Sequence, residues 1–272
     1  MEEYNGEWPV LDFVSQAGAD KPRGAKPLVL NEIMDNQIYT IDNFLDKRLC
    51  KEFIEIIEKE IAADPENSQL KPINRPGYAF RNNSRVAFNS TAMASALWIQ
   101  TGLASLVKQK VKIKGLVPIG LHENIRLYKY SHGQKFGKHY DDHLFNYQGK
   151  RSEYTLLVYL NDISEYPMSP PIGNDSTSNG KNSVSKKRDK VMLNNKKIKK
   201  DAGGTNTDTF NGDHGGETIF YNPNPFYRIN VKPTSGKLLL HKHGSDCLIH
   251  EGGTVIRGVK YVLRSDILFQ PL

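Results

Sequence analysis

The chain has 272 residues, a net charge of +7 and 38% hydrophobic residues, which is typical of a globular protein with an added solvated segment. It contains no run of about 18 apolar residues, which excludes a membrane-spanning helix. The N-terminal sequence MEEYNGEWPV lacks the basic and apolar regions of a secretory signal, so we do not expect secretion. Cys50 and Cys247 lie far apart and are expected to be reduced, as in a cytoplasmic or nuclear protein.

The positive charge is concentrated in one segment. Residues 181–200 contain nine basic residues and one acidic residue, a net charge of +8, so the rest of the chain carries −1. Nucleic acid binding is therefore expected only if this segment carries it. The runs KKRDK and KKIKK within it are also typical of a nuclear localisation signal. The composition favours a third interpretation, a solvated low-complexity loop.

The N-terminal part of the chain predicts a strand and two helices behind a leader. The first 27 residues are rich in Gly, Pro, Asp and Lys without apolar periodicity, which predicts a flexible leader. QIYTIDNFL, at 37–45, predicts a strand. A helix is predicted from its N-cap at Asp46 to about Ile61, with apolar residues every three or four positions forming one stripe. A second helix is predicted over about residues 91–111.

From His122 onward the pattern is that of β-structure. Short apolar or alternating runs are separated by turn signals, and they are IRLYKY, YTLLVYL, ETIFY, YRINV, KLLLH, DCLIH and KYVLRSDILF. They predict a mainly β fold with flanking helices (α+β), namely a double-stranded β-helix (jelly-roll) core over residues 119–270. N-terminal helices within residues 37–118 would support it, and both parts would form one domain over 28–272. The pattern stops at about 164–215, where the composition predicts a mostly disordered basic insertion.

Histidines and a carboxylate indicate a metal site. His139 and Asp141 in the sequence KHYD are two positions apart, so on an extended strand their side chains point the same way. A hydrogen-bonded core pair is the alternative role for them. The third ligand must come from elsewhere, either from His250 before a Gly-Gly turn or from the H-x-H pair His241 and His243. Two histidines and one carboxylate that leave open positions are typical of non-haem Fe(II).

Lys260 follows His250 by ten residues on a strand predicted to lie deep in the barrel. A buried cation needs a partner. A dicarboxylic cosubstrate that chelates iron at one end would supply a carboxylate at the other. Arg264 should share the face of Lys260 and would contact substrate or form a salt bridge. His143 shares a face with Asp141 and is a candidate for the entrance.

Five segments together resemble the prolyl 4-hydroxylase-like branch of the 2-oxoglutarate- and Fe(II)-dependent oxygenases. They are YKYSHGQKFGKHYDDH, YTLLVYLND, GGETIFY, PTSGKLLLH and LIHEGGTVIRGVKYVLRSDILF, and they span roughly residues 120–269 around the insertion. The resemblance implies that His139, Asp141 and His250 are the catalytic metal ligands. It favours His250 over His241 and His243, because only His250 has a lysine at the family spacing. For those two histidines it leaves a surface or packing role.

The resemblance also assigns the cosubstrate site and the reaction. It implies that Lys260 binds the C5 carboxylate of 2-oxoglutarate, that Tyr159 donates to the same carboxylate and that Tyr130 lines the iron pocket. A core aromatic is the alternative for Tyr159. The implied reaction consumes dioxygen, converts 2-oxoglutarate to succinate and carbon dioxide, and hydroxylates an unactivated C–H bond, with ascorbate as reductant.

The substrate remains open at the level of the sequence. The default is a peptidyl proline of an intracellular protein, and a free amino acid or small metabolite is the alternative within the enzyme class. Two alternative functions lie outside the enzyme class. One is a catalytically silent binding domain, and the other is a nucleic-acid-associated protein that uses residues 181–200.

Overall fold

The computed structural model describes Trp8 and residues 27–72, 76–165 and 214–272. The predicted leader lies outside these residues except for Trp8 and Pro27. The predicted insertion lies outside them except for its two ends, and the whole of the basic segment is among the residues not described.

The described residues form twelve strands. In chain order they are β1 (Asn31–Met34), β2 (Ile38–Ile41), β3 (Ser84–Asn89), β4 (Leu116–Leu121), β5 (Asn124–Tyr130), β6 (Phe136–His139), β7 (Arg151–Tyr159), β8 (Thr218–Pro223), β9 (Phe226–Val231), β10 (Leu238–Lys242), β11 (His250–Gly252) and β12 (Lys260–Pro271).

These strands pair antiparallel in two sheets. The larger sheet has the order β1-β2-β10-β7-β12-β5-β3, and β4 pairs with the C-terminal half of β12. The smaller sheet has the order β6-β11-β8-β9. The two longest apolar runs of the sequence become β7 and β12, which pair with each other in the middle of the larger sheet. Strands covered on both faces read as nearly continuous apolar runs, which explains their composition.

The two sheets pack face to face around an apolar cluster. Ile38, Leu239 and Val262 of the larger sheet meet Phe220 and Val231 of the smaller sheet there. A double-stranded β-helix is therefore the core of the fold, and the predicted mainly β class with flanking helices is confirmed.

Side chains of the larger sheet alternate between this cluster and the helices. Leu238 and Leu240 of β10 belong to the cluster that contains the helices, whereas Leu239 belongs to the cluster between the sheets. The alternation follows from the two-residue period of a strand. One strand can therefore supply stability on one face and chemistry on the other.

Four helices lie in the described N-terminal part of the chain, namely α1 (Lys47–Ala63), α2 (Pro65–Ser68), α3 (Thr91–Ile99) and α4 (Leu103–Lys110). Helix α1 begins as predicted, because the carboxylate of Asp46 accepts a hydrogen bond from the Leu49 N–H at 2.8 Å. Its apolar stripe, including Phe53 and Ile57, is buried. The ring of Trp8 contacts Phe53 at a centroid distance of 6.3 Å. No helix among the described residues is long and apolar enough to cross a membrane.

The prediction of one continuous helix over residues 91–111 is wrong. The structure divides it into α3 and α4 at Gly102, whose φ of +79° lies in the left-handed region. Glycine adopts this conformation without the steric cost paid by other residues, so Gly102, the N-cap of α4, lets the chain turn between the two helices. The N-cap of α3 is Ser90, whose hydroxyl accepts a hydrogen bond from the Met93 N–H.

The strand predicted at DCLIH is also shorter than expected. Only His250 of that run lies in β11, since residues 244–246 form a 3-10 turn. Similarly, β6 ends at His139, and Asp141 lies two residues beyond the end of the strand. The side chains of His139 and Asp141 nevertheless converge in the folded protein.

Candidate metal centre and cosubstrate pocket

A cavity between the two sheets collects most of the residues singled out from the sequence. Tyr130, His139, Asp141, His250 and Lys260 all line it. Arg264 and His241 line it as well, and so do residues from both sheets that the sequence did not single out, including Phe136, Thr155 and Thr218.

His139, Asp141 and His250 offer ligand atoms that all lie within 4.8 Å of one another. The two histidines are directly opposite each other in the β6–β11 pair, which places their ring centroids 4.3 Å apart. Nε2 of His139 lies 3.6 Å from Oδ1 of Asp141, and Nε2 of His250 lies 3.7 Å from Oδ2. His250 follows His139 by 111 positions and Asp141 by 109 positions in the sequence. The structure therefore brings together three donors from two distant segments of the chain.

Backbone carbonyls orient both imidazoles. Nδ1 of His139 donates to the carbonyl of Gly137 at 2.8 Å, and Nδ1 of His250 donates to that of Leu248 at 2.9 Å. A carbonyl oxygen only accepts, so the hydrogen sits on Nδ1 and the lone pair of Nε2 faces the carboxylate. Burial lowers the pKa of His250 to about 4, which keeps its imidazole neutral near pH 7. This is the arrangement found around histidines that bind metals.

Asp141 is held as a carboxylate by cationic and hydroxyl partners. Burial alone would raise its pKa, but the Arg264 guanidinium and the neighbouring histidines hold that pKa well below its usual value. Nη2 of Arg264 lies 3.0 Å from Oδ2, and the Thr155 hydroxyl donates to the same oxygen at 2.8 Å. Of the two roles considered for Arg264, the structure shows the salt bridge.

The network behind Asp141 is also buried and charged. Arg264 lies 3.5 Å from Asp266, and Arg126 pairs with the other oxygen of Asp266. Asp266 has no exposed side-chain surface. These contacts fix the position of Arg264 and through it that of Asp141. The sequence signal for the network was the two-residue period of β12, which places Lys260, Arg264 and Asp266 on one face.

Lys260 lies at the other end of the cavity and is buried. Its Nζ donates to the carbonyl of Gly216 at 2.6 Å and lies 5.3 Å from the ring centroids of both Tyr130 and Tyr159. Burial lowers the pKa of Lys260 to about 7, with Glu217 opposing the change. Among the described residues no carboxylate lies within ion-pair distance of this ammonium.

Tyr159 and Tyr130 flank the lysine. The hydroxyl of Tyr159 donates to Oγ1 of Thr218 at 2.7 Å, which joins the two sheets. Tyr130 lies directly opposite Lys260 in the β5–β12 pair. Burial raises the pKa of Tyr130 to about 12, so both it and the lysine present hydrogen-bond donors to the cavity near neutral pH.

Four arginines surround Tyr128, a residue that lines the cavity. Burial alone would raise the pKa of Tyr128, but Arg126, Arg264, Arg81 and Arg85 lower that pKa to about 8. The guanidinium of Arg81 lies over the Tyr128 ring at 4.7 Å. Arg264 and Arg126 are paired with Asp141 and Asp266, so only part of this positive charge is available to attract an anionic ligand.

The other three histidines considered in the sequence, His241, His243 and His143, differ in their position relative to the cavity. His241 lies in the cavity with 2% of its surface exposed, and burial lowers its pKa well below the usual value. His243 is buried behind the cavity, hydrogen-bonded to Ser152 and Thr155. His143 bonds to the carbonyl of Ser152 and does not line the cavity. Both His241 and His243 are buried, so of the surface or packing role expected for them only packing is compatible with their positions.

Comparisons with known proteins give structural neighbours only. No family model and no curated protein matches the chain. A collagen prolyl hydroxylase of Paramecium Bursaria Chlorella virus-1, solved as a 2OG complex, is 17% identical over 85% of this chain and 96% of its own, with a TM-score of 0.46. A Trichoplax adhaerens prolyl hydroxylase, solved with a hypoxia inducible factor oxygen degradation domain peptide fragment, is 15% identical over 86% and 84%, with a TM-score of 0.47.

A third neighbour catalyses a different reaction. SnoK, a non-heme alpha ketoglutarate dependent carbocyclase from nogalamycin biosynthesis, is 9% identical over 86% of this chain and 80% of its own, with a TM-score of 0.46. At these identities and TM-scores, function has to be argued from the residues of this chain. In its motifs the chain resembles the prolyl 4-hydroxylase-like branch of the 2-oxoglutarate- and Fe(II)-dependent oxygenases.

Proposed function

We propose that the protein is a 2-oxoglutarate- and Fe(II)-dependent dioxygenase that hydroxylates an unactivated C–H bond. The observation that carries the proposal is the presence, in one buried cavity, of a three-donor cluster and a lysine without a carboxylate partner among the described residues. Either feature alone has ordinary structural explanations. Together they match a ligand that chelates a metal at one end and carries a carboxylate at the other.

His139, Asp141 and His250 are proposed to hold the metal. Two neutral imidazoles and one carboxylate form the donor set of non-haem Fe(II) sites that keep open coordination positions. The backbone carbonyls on Nδ1 of both rings favour this interpretation over a hydrogen-bonded core pair, because they leave the Nε2 lone pairs facing Asp141 with no hydrogen to share. Bound iron would supply the activation of dioxygen, with ascorbate as reductant.

Lys260 is proposed to bind the C5 carboxylate of 2-oxoglutarate. A buried ammonium that donates only to a carbonyl is costly, and a carboxylate would compensate its charge. Tyr159 and Thr218 would add hydroxyl groups to the same carboxylate, and Tyr130 would line the metal-facing part of the pocket. Arg81 and Arg85 beside Tyr128 add positive charge near the cavity, which favours an anionic cosubstrate.

The substrate is proposed to be a peptidyl proline of an intracellular protein. Tyr140, between two of the proposed ligands in the sequence, is 65% exposed, so its aromatic ring faces solvent. Aromatic residues are enriched where proteins bind peptides and other proteins. Both cysteines are buried and neither forms a disulfide, which is consistent with a reducing compartment.

The test is succinate production from 2-oxoglutarate by the purified full chain with Fe(II), ascorbate and a proline-containing peptide library. His139→Ala should abolish turnover, and Lys260→Ala should raise the 2-oxoglutarate concentration needed. His132→Ala and Lys237→Ala are matched controls, since neither side chain lines the cavity. Equal succinate production by wild type and His139→Ala would contradict the proposal. Turnover with free amino acids or small metabolites instead of peptides would contradict only the substrate class.

A further inference from the structure

Two of the four arginines around Tyr128 have no carboxylate partner within the described part of the chain, namely Arg81 and Arg85. The other two are paired with buried aspartates. We propose that Arg81 and Arg85 bind a carboxylate group of the substrate. This inference rests on the proposed function and deepens it, because it makes the substrate an acidic molecule.

Arg85 lies beside the cavity at the edge of the larger sheet. It belongs to the edge strand β3 and is directly opposite Tyr128 of β5. Residues opposite each other in an antiparallel pair share a face of the sheet, so Arg85 lies on the face whose Tyr128 lines the cavity. The side chain is half-buried, and burial lowers its pKa. A half-buried cation without a counterion costs free energy, which a bound anion would offset.

Arg81 lies between the same tyrosine and the smaller sheet. Its guanidinium is 4.7 Å from the centroid of Tyr128 and 4.4 Å from that of Phe136. Nε donates to the side chain of Asn83 at 2.9 Å, but Nη2 is buried and has no hydrogen-bond partner among the described residues. Phe136 in turn stacks on His139 at a centroid distance of 3.6 Å. One phenyl ring therefore separates this unpaired donor from a proposed metal ligand.

Stacking accounts for only part of what is observed at Arg81. Two aromatic rings fix the plane of the guanidinium, but they do not neutralise its charge or accept the hydrogens of Nη2. Buried polar atoms without partners are rare in native proteins. A ligand oxygen that reaches this edge of the cavity would accept from Nη2 and offset the charge.

The two carboxylates of 2-oxoglutarate have other proposed partners. One belongs to the end that chelates the metal, and the other is assigned to Lys260. Strand β5 separates Lys260 of β12 from Arg85 of β3, because Lys260 lies opposite Tyr130 on one side and Arg85 lies opposite Tyr128 on the other. The two arginines are therefore left for a third carboxylate, and the substrate is the molecule that would supply it.

The chemistry of this pair indicates which substrates fit. Guanidinium groups bind carboxylates through charge-assisted hydrogen bonds, often two in parallel. The carboxylate has to lie near the C–H bond that is hydroxylated, since the arginines lie beside the proposed metal centre. In a peptide this carboxylate is an aspartate or glutamate next to the proline, and in a free amino acid it is the α-carboxylate. A site built for such a group discriminates against the neutral amide.

Two matched pairs of probes test the inference on the wild-type protein. The full chain, with Fe(II), ascorbate and 2-oxoglutarate, receives peptides that contain Asp-Pro or Asn-Pro, and separately L-proline or L-prolinamide. We expect the carboxylate member of one pair to give a kcat/KM for succinate production about 10-fold or more above its amide, as for loss of a hydrogen bond to a charged group. Preference in the peptide pair identifies a side-chain carboxylate, and preference in the proline pair identifies the α-carboxylate. Equal turnover within both pairs would overturn the inference and leave the proposed function intact.

Substitution of the arginines provides the second test. Arg85→Gln should raise the KM of the preferred carboxylate probe by about 10-fold, with little change in kcat or in the 2-oxoglutarate requirement, and Arg85→Lys should keep part of the preference. Arg81→Gln should act in the same direction. Arg48→Gln, on α1 at an arginine paired with Glu52, is the matched control and should behave as the wild type. Full preference retained in both Arg85→Gln and Arg81→Gln would overturn the inference.

Binding decides the case in the absence of turnover. The four probes are titrated calorimetrically into the Mn(II)-loaded full chain in the presence of 2-oxoglutarate. Tighter binding of a carboxylate probe than of its amide, lost in Arg85→Gln, would support the inference even if no succinate forms, and the missing turnover would then count against the proposed function alone. Equal binding within both pairs, or no binding of any probe to the folded protein, would overturn the inference.

Discussion

The larger sheet separates two layers of very different chemistry. The layer between this sheet and the helices is built from apolar side chains such as Leu156, Val158 and Leu240. The layer between the two sheets combines apolar residues such as Leu239 with the buried charges and histidines of the candidate site. Because neighbouring residues of one strand enter different layers, the comparison predicts that adjacent substitutions will affect either stability or chemistry.

The largest expected effect is in the layer between the sheets. His250→Ala should abolish succinate production and metal-dependent binding of 2-oxoglutarate, because it removes one of three proposed ligands. The cavity left by the buried ring should lower the free energy of unfolding of the metal-free protein, but by less than at a purely apolar site, because the Nε2 lone pair of His250 faces the Asp141 carboxylate. Calorimetry and a turnover assay measure the two effects. A large loss of stability with retained turnover would show that this layer serves stability and not catalysis.

Leu240→Ala should show the opposite behaviour. Leu240 is fully buried against the helices, so the cavity left by its side chain should lower the free energy of unfolding by about 2–5 kcal/mol. Denaturant titration measures this loss. Turnover per folded molecule should remain near that of the wild type. A change in the 2-oxoglutarate requirement at Leu240 would show that the two layers are coupled.

Lys260→Met should weaken 2-oxoglutarate binding by roughly 10- to 100-fold, as expected for the loss of one charge-assisted contact of about 1.5–3 kcal/mol. Because methionine is of similar length and needs no partner, the variant should be at least as stable as the wild type. Isothermal titration of 2-oxoglutarate into metal-loaded protein gives the affinity. Unchanged affinity would remove Lys260 from the cosubstrate site.

The same lysine predicts a pH dependence. Burial lowers the pKa of Lys260 to about 7, so the free protein loses the ammonium as the pH rises above that value. Binding of a dicarboxylate favours the charged form, so affinity should fall by up to about tenfold per pH unit between pH 7 and 9. Lys260→Met should not show this dependence. An equal pH dependence in both proteins would place the titrating group elsewhere.

The smallest expected effect concerns α1, which supports the helix-side layer. Asp46→Ala removes the N-cap hydrogen bond to Leu49 and should lower the free energy of unfolding by about 1 kcal/mol. Asp46→Asn keeps the capping oxygen and serves as the control, with a smaller loss. Neither substitution should alter cosubstrate binding. A measurable change in turnover in either Asp46 variant would show that helix α1 contributes to the active site as well as to stability.

Local pattern predicted much of this arrangement. Helix α1 follows from its cap and apolar stripe, the strands follow from their alternation, and Lys260 and Arg264 share a face because of the strand period. The break at Gly102 was missed because a glycine inside an apolar helical pattern does not by itself reveal a left-handed conformation. His241 was missed as a cavity residue because its proximity to Asp141 depends on how two sheets pack, which strand periodicity does not encode.

For the same reason, the sequence did not decide whether Arg264 contacts substrate or forms a salt bridge. Asp141 lies beyond the end of β6, and its side chain reaches Arg264 across the space between the sheets. The roles of His139, Asp141, His250, Lys260, Tyr159 and Tyr130 in binding metal and cosubstrate stay predictions. The structure supplies their proximity and burial.

The most direct test of the proposed metal and cosubstrate site is anaerobic calorimetric titration of 2-oxoglutarate into the full chain with and without Fe(II). We predict one binding event per chain that requires Fe(II) and is absent in His139→Ala. Binding that is independent of Fe(II), or no binding to a folded and metal-loaded wild type, would contradict the proposal that this cavity holds iron and 2-oxoglutarate together.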